Sequence, residues 1–248
     1  MAILKKMLYY KSMFKNFLII LFLLLISACV SEQRIIQSNE SDFHKEIGFA
    51  YYIERNYQLA YAEFHKALQI DPNNKDALHG LALVHMEFQE YERARDLFLR
   101  TLSIDSNYAD AWFNLGLCYQ KLNMHEEAIN AFSKALSNPL FITQDKAYFG
   151  QGLSYYRIGK YEEAKNALDK AIKRNILLIP AHFYMALTYQ KLGQYSEASK
   201  ILKSAIRLDA NYKGDVNKFS RDLKESIKTE QSNMPKEDIL DLLEILKY

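Results

Sequence analysis

The sequence has little cysteine and lacks the short motifs that hold a cofactor or a catalytic nucleophile. Cysteine occurs only at positions 29 and 118, so a small fold stapled by several disulfides is excluded. There is no glycine-rich phosphate loop and no G-x-S-x-G turn. The six histidines are scattered without the spacing of a helical metal pair. The sequence therefore predicts a protein that is not an enzyme and has no metal or cofactor site.

Net charge is also low, and the positive excess lies at the start of the chain. The formal net charge is +2, and residues 1–28 hold four lysines and no acidic residue. Without that segment the charge is 2 − 4 = −2. A near-neutral protein lacks the basic surface that normally marks nucleic-acid binding, so we expect no nucleic-acid partner.

Residues 1–28 have the pattern of a secretory signal peptide. The lysines come first, and an apolar run of ten residues, 17–26, follows them. A membrane-spanning helix needs roughly 20 apolar residues. A permanent N-terminal anchor helix is therefore the less favoured alternative.

The segment ends in Ile26-Ser27-Ala28-Cys29, which resembles the lipobox of bacterial lipoproteins. The resemblance implies cleavage before Cys29, acyl lipids such as palmitate on that residue, and a membrane anchor. Val30 after the cysteine implies the periplasmic face of the outer membrane as the location. Two or three acyl chains anchor a protein stably in a membrane, since each buried methylene contributes roughly 0.8 kcal/mol. The alternative is ordinary signal peptidase cleavage after Ala28, which leaves a free thiol.

A repeat organises the rest of the chain. Alanine recurs at intervals of 34, 34, 36 and 34 residues, at Ala60, Ala94, Ala128, Ala164 and Ala198. Four residues after each alanine stands a large apolar residue: Phe64, Phe98, Phe132, Leu168 and Leu202. Twelve residues before each alanine stands another small residue: Gly48, Ala82, Gly116, Gly152 and Ala186. Small residues on two helices let them approach closely, while the large residues fill the space beside that contact. Each repeat is therefore predicted to be a helical hairpin.

The residue that ends the first helix of each hairpin, before the turn to the second helix, is predicted at Arg55, Gln89, Asn123, Gly159 and Gly193. Cys118 falls in a column of residues of modest volume, so we interpret it as a packed residue and not a nucleophile.

These columns resemble the tetratricopeptide repeat (TPR). The resemblance implies an all-α, right-handed superhelical solenoid of five TPR hairpins with C-terminal capping helices. The predicted segments are a signal peptide (1–28), the lipidated cysteine and a linker (29–40), five repeats spanning 41–212 (41–74, 75–108, 109–144, 145–178 and 179–212), and a capping helix with a C-terminal helix (213–248). The last helix is apolar enough to need a partner, and it either folds back on the repeats or contacts another protein.

In TPR proteins the first helices of the repeats line a groove that contacts a partner protein. The resemblance places sixteen residues there: Phe49, Tyr52, Leu83, Met86, Phe113, Leu117, Gln120, Lys121, Phe149, Leu153, Tyr156, Arg157, Phe183, Leu187, Gln190 and Lys191. This strip is apolar and aromatic with a basic row, so we expect a protein or peptide segment with bulky apolar and acidic side chains. The alternative is that some of these side chains pack against the next repeat or the C-terminal helices.

Lipobox, short linker and repeat array together resemble the type IV pilus biogenesis and stability lipoproteins, the pilotins. That resemblance implies an assembly factor for the outer-membrane secretin, although the family has six repeats and this chain offers five. A general envelope adaptor, for example one that regulates cell-wall enzymes, is the alternative.

Overall fold

The computed structural model describes residues 39–230, 232 and 234–248, and over these residues the chain is made of helices without a strand. The signal peptide, Cys29 and the linker as far as residue 38 lie outside the described residues. The helices are α1 (39–53), α2 (Tyr57–Ile70), α3 (Lys75–Glu87), α4 (Tyr91–Ile104), α5 (Ala109–Lys121), α6 (His125–Leu136), α7 (Gln144–Arg157), α8 (Tyr161–Arg174), α9 (Ile179–Lys191), α10 (Tyr195–Leu208), α11 (Val216–Thr229) and α12 (Lys236–Ile245). Within this described part, none of the helices has the length and apolar character needed to cross a membrane.

The described residues divide into two compact units, with the boundary between Val84 and His85. We call them unit 1 and unit 2 and describe each by itself.

The first helix of every hairpin ends in the same way. One residue takes a left-handed conformation with φ between 58° and 76°, and the five residues that do so are Arg55, Gln89, Asn123, Gly159 and Gly193. The amide that follows donates to the carbonyl five residues back at 2.8–2.9 Å, and these acceptors are Tyr51, His85, Tyr119, Tyr155 and Tyr189. Such a bond satisfies a carbonyl that the helix end leaves without a partner. The predicted turn positions are therefore confirmed.

In unit 1 the ring of Phe64 fills the space between three helices. Phe64 has no exposed surface. A Cβ added to Gly48 on α1 would lie 2.7 Å from its ring, and one added to Gly80 on α3 would lie 2.3 Å from it. The glycines are thus the residues that let α1 and α3 approach α2. The Asn74 side chain completes the unit by donating to Ser41 Oγ at 2.9 Å.

Unit 2 repeats this arrangement in successive hairpins. The hairpins pair α5 with α6, α7 with α8 and α9 with α10, and each also contacts the next through α6 with α7 and α8 with α9. The repeating alanines are completely buried in both units: Ala60, Ala94, Ala128, Ala164 and Ala198. The all-α fold of TPR hairpins expected from the sequence is confirmed.

Two further helices follow the last hairpin. In α11, Phe219 is 1% exposed and packs its ring against Phe183 of α9 at a centroid distance of 5.4 Å. Asp215 begins this helix by accepting the Lys218 amide at 2.9 Å, as an N-cap residue does. After it, α12 lies against α9, α10 and α11. Of the two alternatives open for the C-terminal helix, the structure has it folded back on the repeats.

Candidate functional site

The candidate site is the surface formed by the first helices of the three hairpins that lie wholly in unit 2. These helices are neighbours, with α5 beside α7 and α7 beside α9. They bring together twelve of the predicted groove residues, and we call this set the first-helix face: Phe113, Leu117, Gln120, Lys121, Phe149, Leu153, Tyr156, Arg157, Phe183, Leu187, Gln190 and Lys191.

The other four predicted residues lie earlier in the chain. In unit 1, Phe49 packs edge-on against Phe64 at a ring distance of 5.0 Å, and Tyr52 lies 5.5 Å from the ring of Tyr57. Leu83 of unit 1 and Met86 of unit 2 are half-buried on α3.

Several apolar members of the first-helix face also belong to the core of unit 2. Leu187 is completely buried and Tyr156 is 6% exposed. Phe113 lies 5.9 Å from the ring of Phe132 and 5.6 Å from that of Phe141. These side chains hold the hairpins together, so they offer an approaching chain only part of their surface.

One end of the first-helix face is covered by α12, through a buried carboxylate. Asp238 is 3% exposed. It accepts hydrogen bonds from Arg157 Nη2 at 2.6 Å and Nη1 at 3.1 Å, and from the Tyr184 hydroxyl at 3.0 Å. A carboxylate taken from water needs partners of this kind, and here three donors replace the water.

The electrostatics of this contact favour the paired state. Burial lowers the pKa of Arg157, but the hydrogen bonds and charge of Asp238 outweigh it, so the pKa lies above its ordinary value. Burial raises the pKa of Tyr184, which keeps its hydroxyl protonated and able to donate. The Arg157 guanidinium also lies 5.4 Å from the ring centroids of Tyr156 and Tyr184, within range of a cation–π attraction.

Two further polar contacts follow along α12. Lys191 Nζ lies 2.6 Å from Asp241 Oδ2, and Gln190 Nε2 donates to Glu244 Oε2 at 3.5 Å. Between the acids, α12 buries three aliphatic side chains to 1% exposure or less: Ile239, Leu242 and Ile245. The last two share a hydrophobic cluster with Tyr156, Tyr184 and Leu187.

The other end of the first-helix face is left uncovered by α12. There Lys121 is exposed, and Leu117 and Leu153 are half-buried. Gln120 donates to Gly150 O and to Ser154 Oγ, both at 2.8 Å, so its amide ties α5 to α7. This uncovered end is basic and apolar, as the covered end is.

Tyr184, Asp238 and Asp241 belong to this site although they are not among the groove residues predicted from the sequence. A signal for the two acids was present, because the C-terminal segment repeats an acid followed by two aliphatic residues: Asp238-Ile239-Leu240, Asp241-Leu242-Leu243 and Glu244-Ile245-Leu246.

The structure gives Cys118 a packing role. It is completely buried, and its thiol donates to Tyr91 O at 3.0 Å. Burial raises the pKa of the thiol to about 11, so at neutral pH it is protonated and a poor nucleophile. Within the described ranges, His, Cys, Asp and Glu form no group of three or more that could hold a metal ion.

Comparison with known proteins agrees with the geometry of the hairpins. Two tetratricopeptide repeat family profiles match the chain, one over residues 51–103 and the other over residues 109–138. The chain carries tetratricopeptide repeats. The profile of anaphase-promoting complex (cyclosome) subunit 3 matches residues 141–205, so most of the TPR region is covered by family matches. A search of curated protein sequences finds no match.

Solved structures with the same TPR fold include pilF, PilW and MamA. The pilF protein of Pseudomonas aeruginosa is 22% identical, with a TM-score of 0.65 over 85% of this chain and 98% of its own. PilW, described as a widely conserved type IV pilus biogenesis factor, is 21% identical, with a TM-score of 0.62 over 84% of this chain and 98% of its own. MamA is 26% identical, with a TM-score of 0.60 over 65% of this chain and 94% of its own. At these identities the likeness to pilF and PilW shows the fold alone.

Proposed function

We propose that this protein is a lipid-anchored scaffold whose first-helix face binds a partner polypeptide. The observation that carries the proposal is the contact with α12. That face holds a helix by burying its aliphatic side chains and pairing its acids with Arg157 and Lys191. A surface that binds one helix in this way has the chemistry to bind another. A standard interface removes roughly 800 Å² of each partner from water, with most of the binding energy in a few anchors.

The favoured process is assembly of the type IV pilus secretin in the outer membrane. Two observations support it. The likeness to pilF and PilW extends over 98% of each of those chains. The Ile26-Ser27-Ala28-Cys29 sequence resembles a lipobox, and an anchor there would place the protein on the periplasmic face of the outer membrane. On this proposal the partner is a secretin subunit.

A deletion strain tests this function. We expect loss of secretin multimers on the deletion and recovery with the intact gene. Lys121→Glu should restore multimers poorly, because it reverses an exposed charge of the first-helix face. Lys203→Glu is the matched control, since Lys203 is an exposed lysine on α10. Normal multimers in the deletion strain would refute the pilus assignment.

The anchor has its own test. Cys29→Ser should abolish metabolic labelling with palmitate and release the protein from the membrane fraction. Cys118→Ser is the control, because Cys118 is buried in the hairpins and its replacement should leave labelling unchanged. Continued labelling of the Cys29→Ser protein would show that the lipid is not on that residue.

The second candidate is a general envelope adaptor, for example one that regulates cell-wall enzymes. It is favoured by the likeness to MamA, because a fold shared beyond the pilus proteins does not by itself select the process. Intact secretin multimers together with altered cell-wall hydrolysis in the deletion strain would support it.

A further inference from the structure

The C-terminal helix α12 contacts both helices of the last hairpin, α9 and α10, and also reaches the first-helix face beyond that hairpin. The preceding helix α11 also packs at this end of the repeats, where its Phe219 lies against Phe183 and Tyr212 at ring distances of 5.4 and 5.0 Å. By contrast, α12 reaches back along the chain to Arg157, in the hairpin before the last one. It therefore makes contacts that a simple end cap does not need.

The sequence of α12 matches the surface beneath it in both charge and shape. Its triplets place an acid every three residues, and each acid is followed by an aliphatic side chain that is buried: Ile239, Leu242 and Ile245. At 3.6 residues per turn, successive triplets are displaced by about 60° around the helix. A helix of three triplets therefore keeps its acids on one broad side. That side meets Arg157, Lys191 and Gln190.

The complementary surface is longer than α12. Lys121 occupies in its hairpin the position that Arg157 and Lys191 occupy in theirs, at the end of the first helix. Arg157 and Lys191 are paired with acids of α12, whereas Lys121 is exposed and forms no ion pair within the described part of the chain. A longer acidic helix would find a third cation here, and half-buried Leu117 beside it.

We infer that α12 is a resident ligand of the first-helix face, and that the partner is a helix of acid–aliphatic triplets that displaces it. This inference rests on the proposed function, and it specifies the chemistry of the partner and its control. Because α12 is attached to the same chain, its local concentration is on the order of millimolar. A partner must therefore make contacts that α12 lacks, and the uncovered end of the face with Lys121 provides them.

A peptide of this chain's own residues 234–248 is the direct probe. It is labelled with a fluorophore and titrated into the full chain, purified in detergent, with binding followed by fluorescence anisotropy. We expect the Leu242→Asp variant to bind at least about tenfold more tightly than the wild type, because undocking the resident helix removes an intramolecular competitor. Leu240→Asp is the matched control. Leu240 lies on the same helix but is 50% exposed, whereas Leu242 is completely buried, so this variant should bind like the wild type.

A second variant removes the dependence on a buried substitution. Asp241→Lys places two cations together at the Lys191 contact, whose side chains are 37% and 23% exposed, so the core stays intact. It should strengthen peptide binding in the same direction as Leu242→Asp. A peptide with Asp238→Asn, Asp241→Asn and Glu244→Gln should bind at least about tenfold more weakly, because the ion pairs with Arg157 and Lys191 lose their negative partners.

Equal peptide binding by wild type, Leu242→Asp and Asp241→Lys, or its absence in all three, would overturn the inference. So would a wild-type dimer in sedimentation that Leu242→Asp dissociates, because the natural occupant would then be a second copy. A different set of results would refute the pilus assignment without affecting the inference about α12. Peptide binding as expected, with normal secretin multimers in the deletion strain, would refute that assignment and support the resident helix.

Discussion

Replacing Gly150 by alanine tests the contact that joins successive hairpins. Gly150 on α7 faces the ring of Phe132 on α6, and a Cβ at Gly150 would lie 2.5 Å from Phe132 Cζ. Phe132 is completely buried and its ring is also closely approached by Gly116, so the ring has little room to move. Overpacking of this kind costs about 1–3 kcal/mol. Alanine has a higher helix propensity than glycine, which offsets about 0.5–1 kcal/mol of this cost.

We therefore expect Gly150→Ala to lower the free energy of unfolding by up to about 2.5 kcal/mol. In a Phe132→Leu background the same change should cost less by about 1 kcal/mol, because the ring atoms that meet the new methyl group are gone. Leucine already fills this column at Leu168 and Leu202. Urea unfolding followed by far-ultraviolet circular dichroism measures all four proteins of the cycle. The same cost for Gly150→Ala in both backgrounds would refute the contact.

Three further predictions concern buried polar groups. Asp238→Ala should lower the free energy of unfolding by about 2–3 kcal/mol by leaving Arg157 unpaired, and Arg157→Leu in the same chain should recover part of that loss in urea unfolding. Burial lowers the pKa of His79 to about 4, below its unfolded value. The stability contributed by the buried neutral ring is therefore present above about pH 6.5 and is lost, by up to about 3 kcal/mol, as the pH falls towards 4. The free energies of unfolding of wild type and His79→Leu, measured against pH, should converge at neutral pH and diverge in acid. Thiol labelling of Cys118 at pH 8, mapped by mass spectrometry, should be no faster than global unfolding, and labelling within seconds would contradict its burial.

The hairpins could be predicted because their contacts repeat. Columns such as Ala94 and Ala128 recur at a fixed interval, since each helix pair needs a small residue at its closest approach. The left-handed residues were predictable for the same reason. Gly80 and Gly150 were missed because they serve the contact between hairpins, which occurs with a glycine in only some of the repeats.

The candidate site was harder to predict than the fold. Pattern alone placed Phe113 and Phe183 on the first helices, but it did not show that their rings reach the neighbouring core. The docking of α12 could not be assigned, because an amphipathic helix of ten residues satisfies its apolar face equally well within the chain or on another protein. The triplets that begin at Asp238 indicate a charged binding partner, and only the structure shows Arg157 and Lys191 in that role.

Hydrogen–deuterium exchange of the full chain, with and without purified secretin subunit, tests most directly whether the partner takes the place of α12 on the first-helix face. The amides of α12 should exchange faster on binding, while those at the ends of α5 and α7 near Lys121 and Arg157 should exchange more slowly. Unchanged or increased protection of α12 in a saturated complex would show that the partner binds elsewhere.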